Sequence, residues 1–392
     1  MKIALIAPTY LPARRANTIQ VMKMAQAIAR RGNEVLVFVP DSRTKKAIVP
    51  AERSWELLME HYGIKETFPI EWIRIVPALR RYDFGYTSVR RARKWGADIV
   101  YTRLPQAAVY SRCIGLKTVF ELHDFPMGHG SERLFRWYLK GKGAARLVVI
   151  THMLHNDLKA AFELPPFHFT IVASDGIDLE RYEHILQPKE ARERLNQLHP
   201  EIQLNDAKFT VGYTGHLYRG RGIEMIINLA QRLPAIQFLL IGGEPKDVLR
   251  AQALMDQLKD KNLVVTGFVP NAQLPLYQAA CDALLMPYQV KVSASSGGDI
   301  GKYLSPMKLF EYMASERVIL SSDLPVLREV LNPENAILLP PDELDAWYKA
   351  ILYIKNHPNL AKKLSTQARR DVEKYTWDVR VKRIFEDLSN EI

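Results

Sequence analysis

A short stretch in the last third of the chain, residues 305–314 with sequence SPMKLFEYMA, combines the residue types of an anion site. Ser305 can cap a helix, and Pro306 suits the first turn, where its missing N–H costs nothing. The free N–H groups of such a helix start, together with the side chain of Lys308, would attract a phosphate. Glu311 lies one turn further on, where its carboxylate can accept hydrogen bonds from two hydroxyl groups. A phosphate site beside a diol site suits a nucleotide-sugar, although an ordinary capped amphipathic helix would use the same residues.

A glycine-bounded turn at residues 215–222, with sequence GHLYRGRG, carries two arginines that could add to this anion site. A guanidinium group can donate two parallel hydrogen bonds to diphosphate oxygens, so Arg219 and Arg221 are candidate ligands. The turn lacks the G-x-G-x-x-G spacing of dinucleotide-binding enzymes, and the sequence has no Walker pattern. The usual sequence evidence for nicotinamide-dependent chemistry and for P-loop chemistry is therefore missing. A basic surface turn is the alternative interpretation for so short a segment.

The elements that would position these residues alternate between strand and helix patterns. Residues 2–7 form a continuous apolar run, residues 18–30 carry apolar side chains at helical spacing, and residues 34–39 form a second apolar run. We expect Asn17 to cap the helix, with Gln20 in the position of a capping-box partner. The order strand, helix, strand predicts a βαβ unit with a right-handed crossover in a parallel sheet.

Two polar segments of the N-terminal half are predicted to lie at the carboxyl ends of strands, where open α/β sheets bind ligands. One is the loop 9–16, which is rich in proline and arginine. The other contains His123 and Asp124, which follow the predicted strand 117–122. His123 could be a core histidine or a ligand-binding residue, and its place at a strand end favours the second role.

A second series of alternating strands and helices begins at residue 209. We place the linker between the two series near residues 172–185. The predicted fold class is therefore α/β, with two Rossmann-like domains whose ligand-binding edges would face a central cleft. Residues 41–95 are interpreted as helices and loops over one edge of the first sheet. The loop 288–304 is long, which suggests a functional role.

The composition is that of a globular protein of two domains. The chain has 392 residues, 47% of them hydrophobic, and no apolar run approaches the ~20 residues that span a bilayer. The N-terminus reads as a first strand and lacks the apolar core of a signal peptide. Two distant cysteines, Cys113 and Cys281, form no metal-type spacing and favour a reducing cytoplasm.

The formal net charge of +11 indicates an anionic partner. Nucleic acid, an anionic membrane surface and a phosphate-binding cleft would each fit this charge. We predict no nucleic-acid partner, because the sequence has no zinc spacing, RNP-type aromatic motif or basic zipper. Peripheral contact with the inner face of an anionic membrane stays open, and the expected location is cytoplasmic.

Several segments together resemble glycosyltransferase family 4, whose fold is GT-B. In chain order these segments are residues 17–29, SDGID at 174–178, the turn 215–222, GFV at 267–269, KLFEYMA at 308–314 and YTW at 375–377. The resemblance covers nearly the whole chain. It implies an N-terminal acceptor-binding domain at 1–175 and a C-terminal domain at 180–375 that binds a nucleotide-sugar donor. It also implies that the C-terminal helix of about 376–392 packs back on the N-terminal domain.

The resemblance assigns catalytic roles to three residues. Arg221 and Lys308 would stabilise the donor diphosphate, and His123 would act near the donor sugar and the acceptor. Glu311 matches the second glutamate of the family's paired-glutamate motif and should bind the donor ribose. The other positions implied to bind the donor are Gly215, His216, Arg219, Val269, Ser305, Pro306, Met307 and Leu309. Those implied on the acceptor side are Arg15, Asn17 and Asp124.

One position departs from the family's motif. Tyr303 stands where the first glutamate of the pair is expected. Asp299, Lys302 or the backbone N–H groups of residues 300–304 would then take over its contacts with the donor sugar.

The implied activity is that of a hexosyltransferase. It would transfer a sugar with retention from a nucleotide-sugar, a UDP-sugar first and GDP-mannose second, to a hydroxyl group of a glycan, a lipid or a small sugar. We expect no metal and no other cofactor, because fixed cations and a helix start can stabilise the leaving diphosphate. Two alternatives stay open: a nucleotide-sugar epimerase of the same fold, and a non-catalytic protein that binds sugar nucleotides or polyanions.

Overall fold

The computed structural model describes residues 1–41, 53–79, 81–166, 169–255, 262–293 and 298–388. The chain divides into two compact units. The N-terminal unit comprises Met1–Asp175 together with Trp377–Ile392, and the C-terminal unit comprises Gly176–Thr376. Each unit is built on one parallel sheet with helices, which confirms the predicted class of two Rossmann-like α/β domains.

The N-terminal unit contains a seven-stranded sheet. Its strands are β1 (Lys2–Ile6), β2 (Glu34–Asp41), β3 (Ile70–Arg74), β4 (Ile99–Thr102), β5 (Lys117–Leu122), β6 (Ala144–Val149) and β7 (Thr170–Val172). Their order across the sheet is β3-β2-β1-β4-β5-β6-β7, and all neighbours are parallel. The connecting helices are α1 (Ala16–Arg30), α2 (Trp55–Tyr62), α3 (Tyr82–Trp95), α4 (Pro105–Cys113), α5 (His129–Leu139) and α6 (His152–Ala161). β1 is buried from Ile3 to Ile6 on both faces, and its sequence is accordingly a continuous apolar run.

Strand β3 corrects the prediction for residues 41–95, which assigned only helices and loops. This strand pairs in parallel with β2 and forms one edge of the sheet. Its sequence IEWIR mixes charged and apolar side chains, so its pattern is weaker than that of the buried strands. Residues 42–52 and Arg80, in the same segment, lie outside the described residues.

The C-terminal unit contains a six-stranded parallel sheet. Its strands are β8 (Thr210–Thr214), β9 (Gln237–Ile241), β10 (Leu263–Val265), β11 (Ala283–Met286), β12 (Val318–Ser322) and β13 (Ile337–Leu339). Their order is β10-β9-β8-β11-β12-β13. The helices are α7 (Pro188–Leu198), α8 (Ile223–Arg232), α9 (Pro245–Met255), α10 (Leu274–Ala279), α11 (Met307–Ala314), α12 (Leu344–Asn356) and α13 (Pro358–Asp371). α8 begins at Ile223, after the left-handed Gly222.

The last described helix, α14 (Trp377–Phe385), belongs to the N-terminal unit and packs against α1. Trp377, Val381 and Ile384 bury its apolar side. At the end of α1, Arg31 donates to both carboxylate oxygens of Asp378, at 2.8 and 2.9 Å. The N-terminal unit is therefore assembled from both ends of the chain.

The start of α1 differs from the prediction. The helix begins at Ala16, Arg15 occupies the N-cap position without a side-chain capping bond to the described chain, and Asn17 lies inside the first turn. The turn is stabilised instead by the Thr18 hydroxyl, which donates to the Arg15 carbonyl oxygen at 2.7 Å. Gln20 is no capping partner either, because its amide is bonded to a carboxylate of β5.

The start of α11 also differs. The helix begins at Met307, and Pro306 occupies the N-cap position in an extended conformation, so Ser305 is not the cap. Thr151, in contrast, caps α6 with its side chain: its hydroxyl accepts from the Leu154 N–H at 3.2 Å. Among the helices that the structure describes, none combines the length and the apolar character of a bilayer span.

Candidate active site

Two segments at the carboxyl edge of the C-terminal sheet form a single structure. The loop 215–222 follows β8, and the segment 287–293 follows β11, its neighbour in the sheet. The Gln289 N–H donates to the Gly220 carbonyl oxygen at 2.9 Å, and the Ser293 N–H donates to that of Arg219 at 3.1 Å. The two segments are far apart in the sequence, but backbone hydrogen bonds hold them together at the carboxyl edge of the sheet, where α/β proteins bind ligands.

Lys308 lies in the first turn of α11, and its ammonium group is buried. Only 8% of the residue is exposed. The Nζ atom lies 3.7 Å from the ring centroid of Tyr213 and 5.3 Å from that of Tyr288, and it has no hydrogen-bond partner within the described residues. Burial, and then the charge of Arg221, holds the pKa of Lys308 well below its usual value. A buried ammonium group without an anion is unfavourable, and a bound anion would relieve this.

Two glycines make room for this lysine. Gly215 has a φ of +124°, and a Cβ atom there would lie 3.0 Å from Lys308 Nζ and 3.2 Å from its Cε. A Cβ atom at Gly242, after β9, would lie 2.4 Å from the Gly215 carbonyl oxygen. Glycine at both positions therefore lets the ends of β8 and β9 approach each other beside the ammonium group.

Arg221 brings a second cation to the same tyrosine. Its Nη1 atom donates to the Tyr288 hydroxyl at 3.0 Å, and its guanidinium carbon lies 5.4 Å from the centroid of that ring. The Nε atom is buried and has no hydrogen-bond partner in the part of the chain that the structure describes. Tyr288 thus contacts both Arg221 and Lys308. Arg219, the other arginine of the turn, is exposed.

The remaining residues implied for the donor occupy different environments. The ring of His216 stacks on that of Tyr218, with centroids 4.6 Å apart. The side chain of Leu309 is buried in the core, so it contributes to packing. Its backbone N–H donates to the Pro306 carbonyl oxygen at 2.9 Å. Val269 is buried in the segment after β10. Ser305 and Met307 are half-buried, and Pro306 is buried.

Glu311 lies one turn into α11, with its carboxylate held by two amides. Asn271 donates to Oε1 and Gln278 donates to Oε2, both at 3.3 Å. Gln278 is fixed in turn by the Tyr182 hydroxyl, which donates to its carbonyl oxygen at 2.8 Å. A carboxylate can accept about four hydrogen bonds, so this arrangement orients Glu311 and leaves capacity for ligand hydroxyl groups.

The segment around Tyr303 is organised by Asp299. The Oδ1 atom of Asp299 accepts from the N–H groups of Val292 and Gly301, each at 2.9 Å, and these bonds lower the pKa of Asp299. The N–H groups of Ile300 and Tyr303 donate to carbonyl oxygens within the loop. Three of the five N–H groups at 300–304 are therefore already bonded internally. Residues 294–297 of this loop lie outside the described residues.

In the N-terminal unit, the chain after β5 places His123 against a buried carboxylate. Glu121 accepts from His123 Nε2, from Gln20 Nε2 at 2.8 Å, and from Arg380 Nη2 at 2.8 Å. Burial raises the pKa of Glu121, but the charges of Arg380 and His123 outweigh it and bring that pKa to about 2. Burial, followed by the charge of Arg103, lowers the pKa of His123. The imidazole is one-fifth exposed, so a ligand can reach it.

The other residues predicted for the acceptor side lie near chain turns of the same unit. Arg15 is exposed before α1, and Asp124 is exposed after β5, where its Oδ1 atom accepts from the Phe125 N–H at 2.8 Å. Asn17 is half-buried in the first turn of α1, and its Oδ1 atom has no hydrogen-bond partner within the described residues.

Comparison with known proteins identifies the chain. Residues 18–181 match the family Glycosyltransferase Family 4, and residues 208–357 match Glycosyl transferases group 1. The chain carries a Glycosyltransferase Family 4 domain followed by a Glycosyl transferases group 1 domain. This confirms the resemblance and establishes that the protein is a glycosyltransferase, an enzyme class that the two matched families share.

Two curated relatives are similar along most of this glycosyltransferase. An alpha-galactosylglucosyldiacylglycerol synthase of Streptococcus pneumoniae is 24% identical over 318 residues, which are 80% of this chain and 76% of the relative. A GDP-mannose-dependent alpha-mannosyltransferase of Mycolicibacterium smegmatis is 23% identical over 308 residues, which are 73% of each chain.

Solved structures share the fold of this glycosyltransferase over the full chain. Anabaena Alr3699/HepE in complex with UDP-glucose superposes with a TM-score of 0.73 at 17% identity, covering 100% of both chains. Sucrose-phosphate synthase from Thermosynechococcus elongatus superposes with a TM-score of 0.74 at 17% identity, covering 100% of this chain and 98% of that one. These likenesses confirm the GT-B fold.

Sequence reasoning missed several residues of this glycosyltransferase that the structure places beside the candidate groups. Tyr288 follows β11 at the ligand edge, so its position could have been noticed, but its contact with two cations could not. Asn271, Gln278 and Arg380 reach their carboxylates from distant parts of the chain and carry no local signal. No group of three His, Cys, Asp or Glu residues with a metal-binding arrangement occurs among the described residues.

Proposed function

We propose that this glycosyltransferase binds a nucleoside-diphosphate sugar at the carboxyl edge of its C-terminal sheet and transfers the sugar with retention. The observation that carries the proposal is the buried ammonium group of Lys308, which has no hydrogen-bond partner among the described residues. A cation in this position is compatible with a stable fold if an anion occupies the site during function. Arg221 lies over the ring of Tyr288, which Lys308 also contacts, and it adds a second positive charge. The start of α11, where Lys308 lies, adds a partial positive charge.

The parts of the donor fit the groups around this position. The diphosphate would bind to Lys308, to Arg221 and to N–H groups at the start of α11. The ribose hydroxyl groups would donate to Glu311, which two amides already orient. The base would meet the backbone near Val269. The sugar-contacting role of the missing first glutamate would fall to Asp299, to Lys302 or to backbone N–H groups of residues 300–304.

The mechanism follows from where charge develops. When the anomeric C–O bond breaks, the sugar becomes oxocarbenium-like and the diphosphate gains negative charge. Cations that are already in place lower this barrier without reorganisation, and one such donor is typically worth about 2.7–4 kcal/mol. In a retaining reaction the leaving phosphate can itself accept the proton of the acceptor hydroxyl. Lys308 and Arg221 supply the charge, so the proposal requires no metal ion.

The choice of donor rests on the relatives. The structural neighbour HepE was solved with UDP-glucose, and one curated relative is named as GDP-mannose-dependent. We therefore propose a UDP-sugar first and GDP-mannose second. The family assignment favours transfer over the epimerase and over a non-catalytic binder, and product analysis separates these possibilities.

The acceptor side includes a surface that suits an anionic membrane. Tyr82 and Tyr86 on α3 and Trp137 on α5 are each about half exposed, at 45%, 49% and 47%. Arg90 lies over the Tyr86 ring at 5.6 Å, and Arg133 lies over the Trp137 ring at 5.2 Å. α4 packs against both α3 and α5, so the three helices form one layer. Aromatic rings interleaved with cations are typical of interfacial helices, and a lipid-linked acceptor would be reached there.

The donor proposal is tested by thermal shift with a panel of UDP- and GDP-sugars. A ligand at 100 times its dissociation constant adds about 2.7 kcal/mol of stability. We expect one nucleotide class to stabilise the wild type and the Lys363→Met control, which alters an exposed lysine of α13, but not Lys308→Met. Stabilisation of Lys308→Met equal to that of the wild type would contradict the proposal, and an epimerised sugar without transfer would favour the epimerase.

The membrane contact is tested by sedimentation with vesicles. Vesicles of phosphatidylglycerol should carry down the wild type at low salt, and vesicles of phosphatidylcholine should not. The double variant Tyr86→Ser with Arg90→Glu should bind less, while Lys363→Glu, at an exposed lysine of the other unit, serves as the control. Equal sedimentation of all three proteins would refute this surface.

A further inference from the structure

We propose that Glu121 and Arg380 are positioning residues that hold His123 in the tautomer with hydrogen on Nε2, so that Nδ1 accepts a hydrogen bond from a substrate hydroxyl group. Only the hydrogen bond between His123 and a substrate hydroxyl group rests on the proposed function. The positioning itself is a property of the N-terminal unit and can be measured without turnover.

The tautomer follows from the chemistry of Glu121. This side chain is 1% exposed and is ionised at neutral pH, since its pKa is about 2. An ionised carboxylate can only accept hydrogen bonds, so the nitrogen that faces it must carry the hydrogen. That nitrogen is Nε2 of His123. Because the pKa of His123 is lowered, the ring is neutral near pH 7, and Nδ1 is left as the acceptor.

Arg380 fixes Glu121 from the other end of the chain. It lies on α14, is 4% exposed, and donates from Nη2 to Glu121 Oε2 at 2.8 Å. The rest of its guanidinium is bonded as well: Nε donates to the Ser174 carbonyl oxygen at 2.9 Å, and Nη2 also donates to that of Ala173 at 3.2 Å. Nη1 contacts the Tyr101 hydroxyl at 3.2 Å. With so many partners, the guanidinium cannot rotate away from the carboxylate without losing them all.

Three charged groups act directly on the pKa of His123, and they act in different directions. Arg103 lowers the pKa of His123, whereas Glu121 and Asp175 raise it. Arg380 faces Glu121 and Asp175 from α14 and offsets their charge. Removing the anion or the cation should therefore move the histidine titration in opposite directions. A purely structural role for the pair predicts no such opposition.

The experiment is long-range ¹H–¹⁵N NMR of the full-length enzyme with labelled histidine, in which His123→Asn assigns the His123 signals. We expect the wild type to show the Nε2–H tautomer with a low pKa. In Glu121→Gln the loss of the anion should lower the His123 pKa further. In Arg380→Met the loss of the cation should raise it. Arg383→Met, an exposed change on the same helix, should leave both the tautomer and the pKa as in the wild type.

Steady-state kinetics connect this state to the reaction. We expect kcat to fall about 100-fold in Glu121→Gln and Arg380→Met, as a mispositioned group commonly costs, with the KM for the donor unchanged. The acid limb of kcat/KM should move to lower pH in the first variant and to higher pH in the second. Arg380→Lys keeps the positive charge but loses the several donors of the planar guanidinium group. In this variant the acid limb of the kcat/KM profile should therefore stay where it is in the wild type, while kcat falls by less than about 100-fold. If Arg380→Met does not fold, this variant still tests the proposal.

Each result decides the proposal. The Nδ1–H tautomer in the wild type, or a His123 pKa that moves in the same direction in both variants, would overturn the positioning. An enzyme that shows the expected NMR behaviour but transfers no sugar would instead contradict the proposed function. Full activity of His123→Asn would overturn the assignment of a substrate contact to His123.

Discussion

Replacing Lys308 by methionine should stabilise the ligand-free protein while weakening the donor complex. The methionine side chain has a similar length and no charge, so it removes a buried ammonium group that has no hydrogen-bond partner among the described residues. Relieving one buried unsatisfied group is worth about 1–3 kcal/mol. For a unit of roughly 200 residues, this corresponds to a rise in Tm of about 2–12 °C.

The effect on binding has the opposite sign. A hydrogen bond between a charged donor and an anion contributes about 1.5–3 kcal/mol, so the variant should bind UDP about 10- to 150-fold more weakly. At a UDP concentration of 100 times the wild-type dissociation constant, the wild type gains about 2.7 kcal/mol. A variant that binds 100-fold more weakly gains only about 0.4 kcal/mol at the same concentration. The thermal shift should therefore fall from about 5–11 °C to about 1–2 °C.

Scanning calorimetry of the wild type, Lys308→Met and Lys363→Met, each with and without UDP, measures both effects together. Lys363 is an exposed lysine of the same unit, so its variant controls for the loss of one positive charge. The test is whether Lys308→Met raises the Tm of the ligand-free protein and at the same time reduces the shift that UDP causes. If Lys308→Met melts at a lower temperature without ligand and keeps the full shift with UDP, the ammonium group is a structural element and the reasoning about the anion site is refuted.

Four further outcomes follow from the same geometry. Glu311→Gln should weaken UDP binding about 10-fold or more while leaving pyrophosphate binding unchanged, because the lost charge faces the ribose; titration calorimetry compares the two ligands, and an equal loss for both would contradict the ribose assignment. Gly215→Ala should weaken UDP binding, whereas Gly32→Ala, which has a φ of +76° and no atom within 4 Å of an added Cβ, should add only backbone strain of about 1–2 kcal/mol; chemical denaturation and UDP titration measure the pair. The pKa of Lys308 is depressed in the folded protein, so between that pKa and the ordinary 10.5 the unfolded chain binds more protons than the folded one. In this pH window the stability of the ligand-free protein should therefore rise with pH, while the affinity for UDP should fall. Calorimetry across pH checks both trends, and Lys308→Met should abolish them. In the proposed mechanism Arg221 and Lys308 supply the charge that a metal ion would otherwise supply, so turnover should be unchanged after dialysis against EDTA. A loss of activity that Mg²⁺ restores would contradict this.

The parts of the candidate site that could be predicted from sequence are those with local signals. Lys308, Glu311 and Arg221 lie in short motifs whose spacing carries meaning by itself. The packing of Lys308 against Tyr213 and Tyr288 brings together residues of three separate segments, and only the tertiary structure determines that the ammonium group is buried. The ion pair of Glu121 and Arg380 joins residues 259 positions apart, which no spacing rule reaches.

The fold shows the same division between strong and weak signals. Buried parallel strands such as β1 and β2 read as apolar runs and were predicted, because both of their faces are covered. The edge strand β3 and the charged helix α7 were missed, since neither has a clean apolar pattern. The cap positions of α1 and α11 were placed one or two residues away from the observed ones, which is the usual precision for helix ends judged from local preference.

The return of α14 to the N-terminal unit has a consequence for biosynthesis. The ribosome completes residues 1–175 before it has made the cation that neutralises Glu121, because Arg380 follows the whole of the second unit. At about 5–20 residues per second, translation of the intervening segment takes roughly 10–40 s. During that interval the nascent first unit holds an acidic group without its arginine, so it can reach its final state only after α14 has been made, when the second unit has already had time to form.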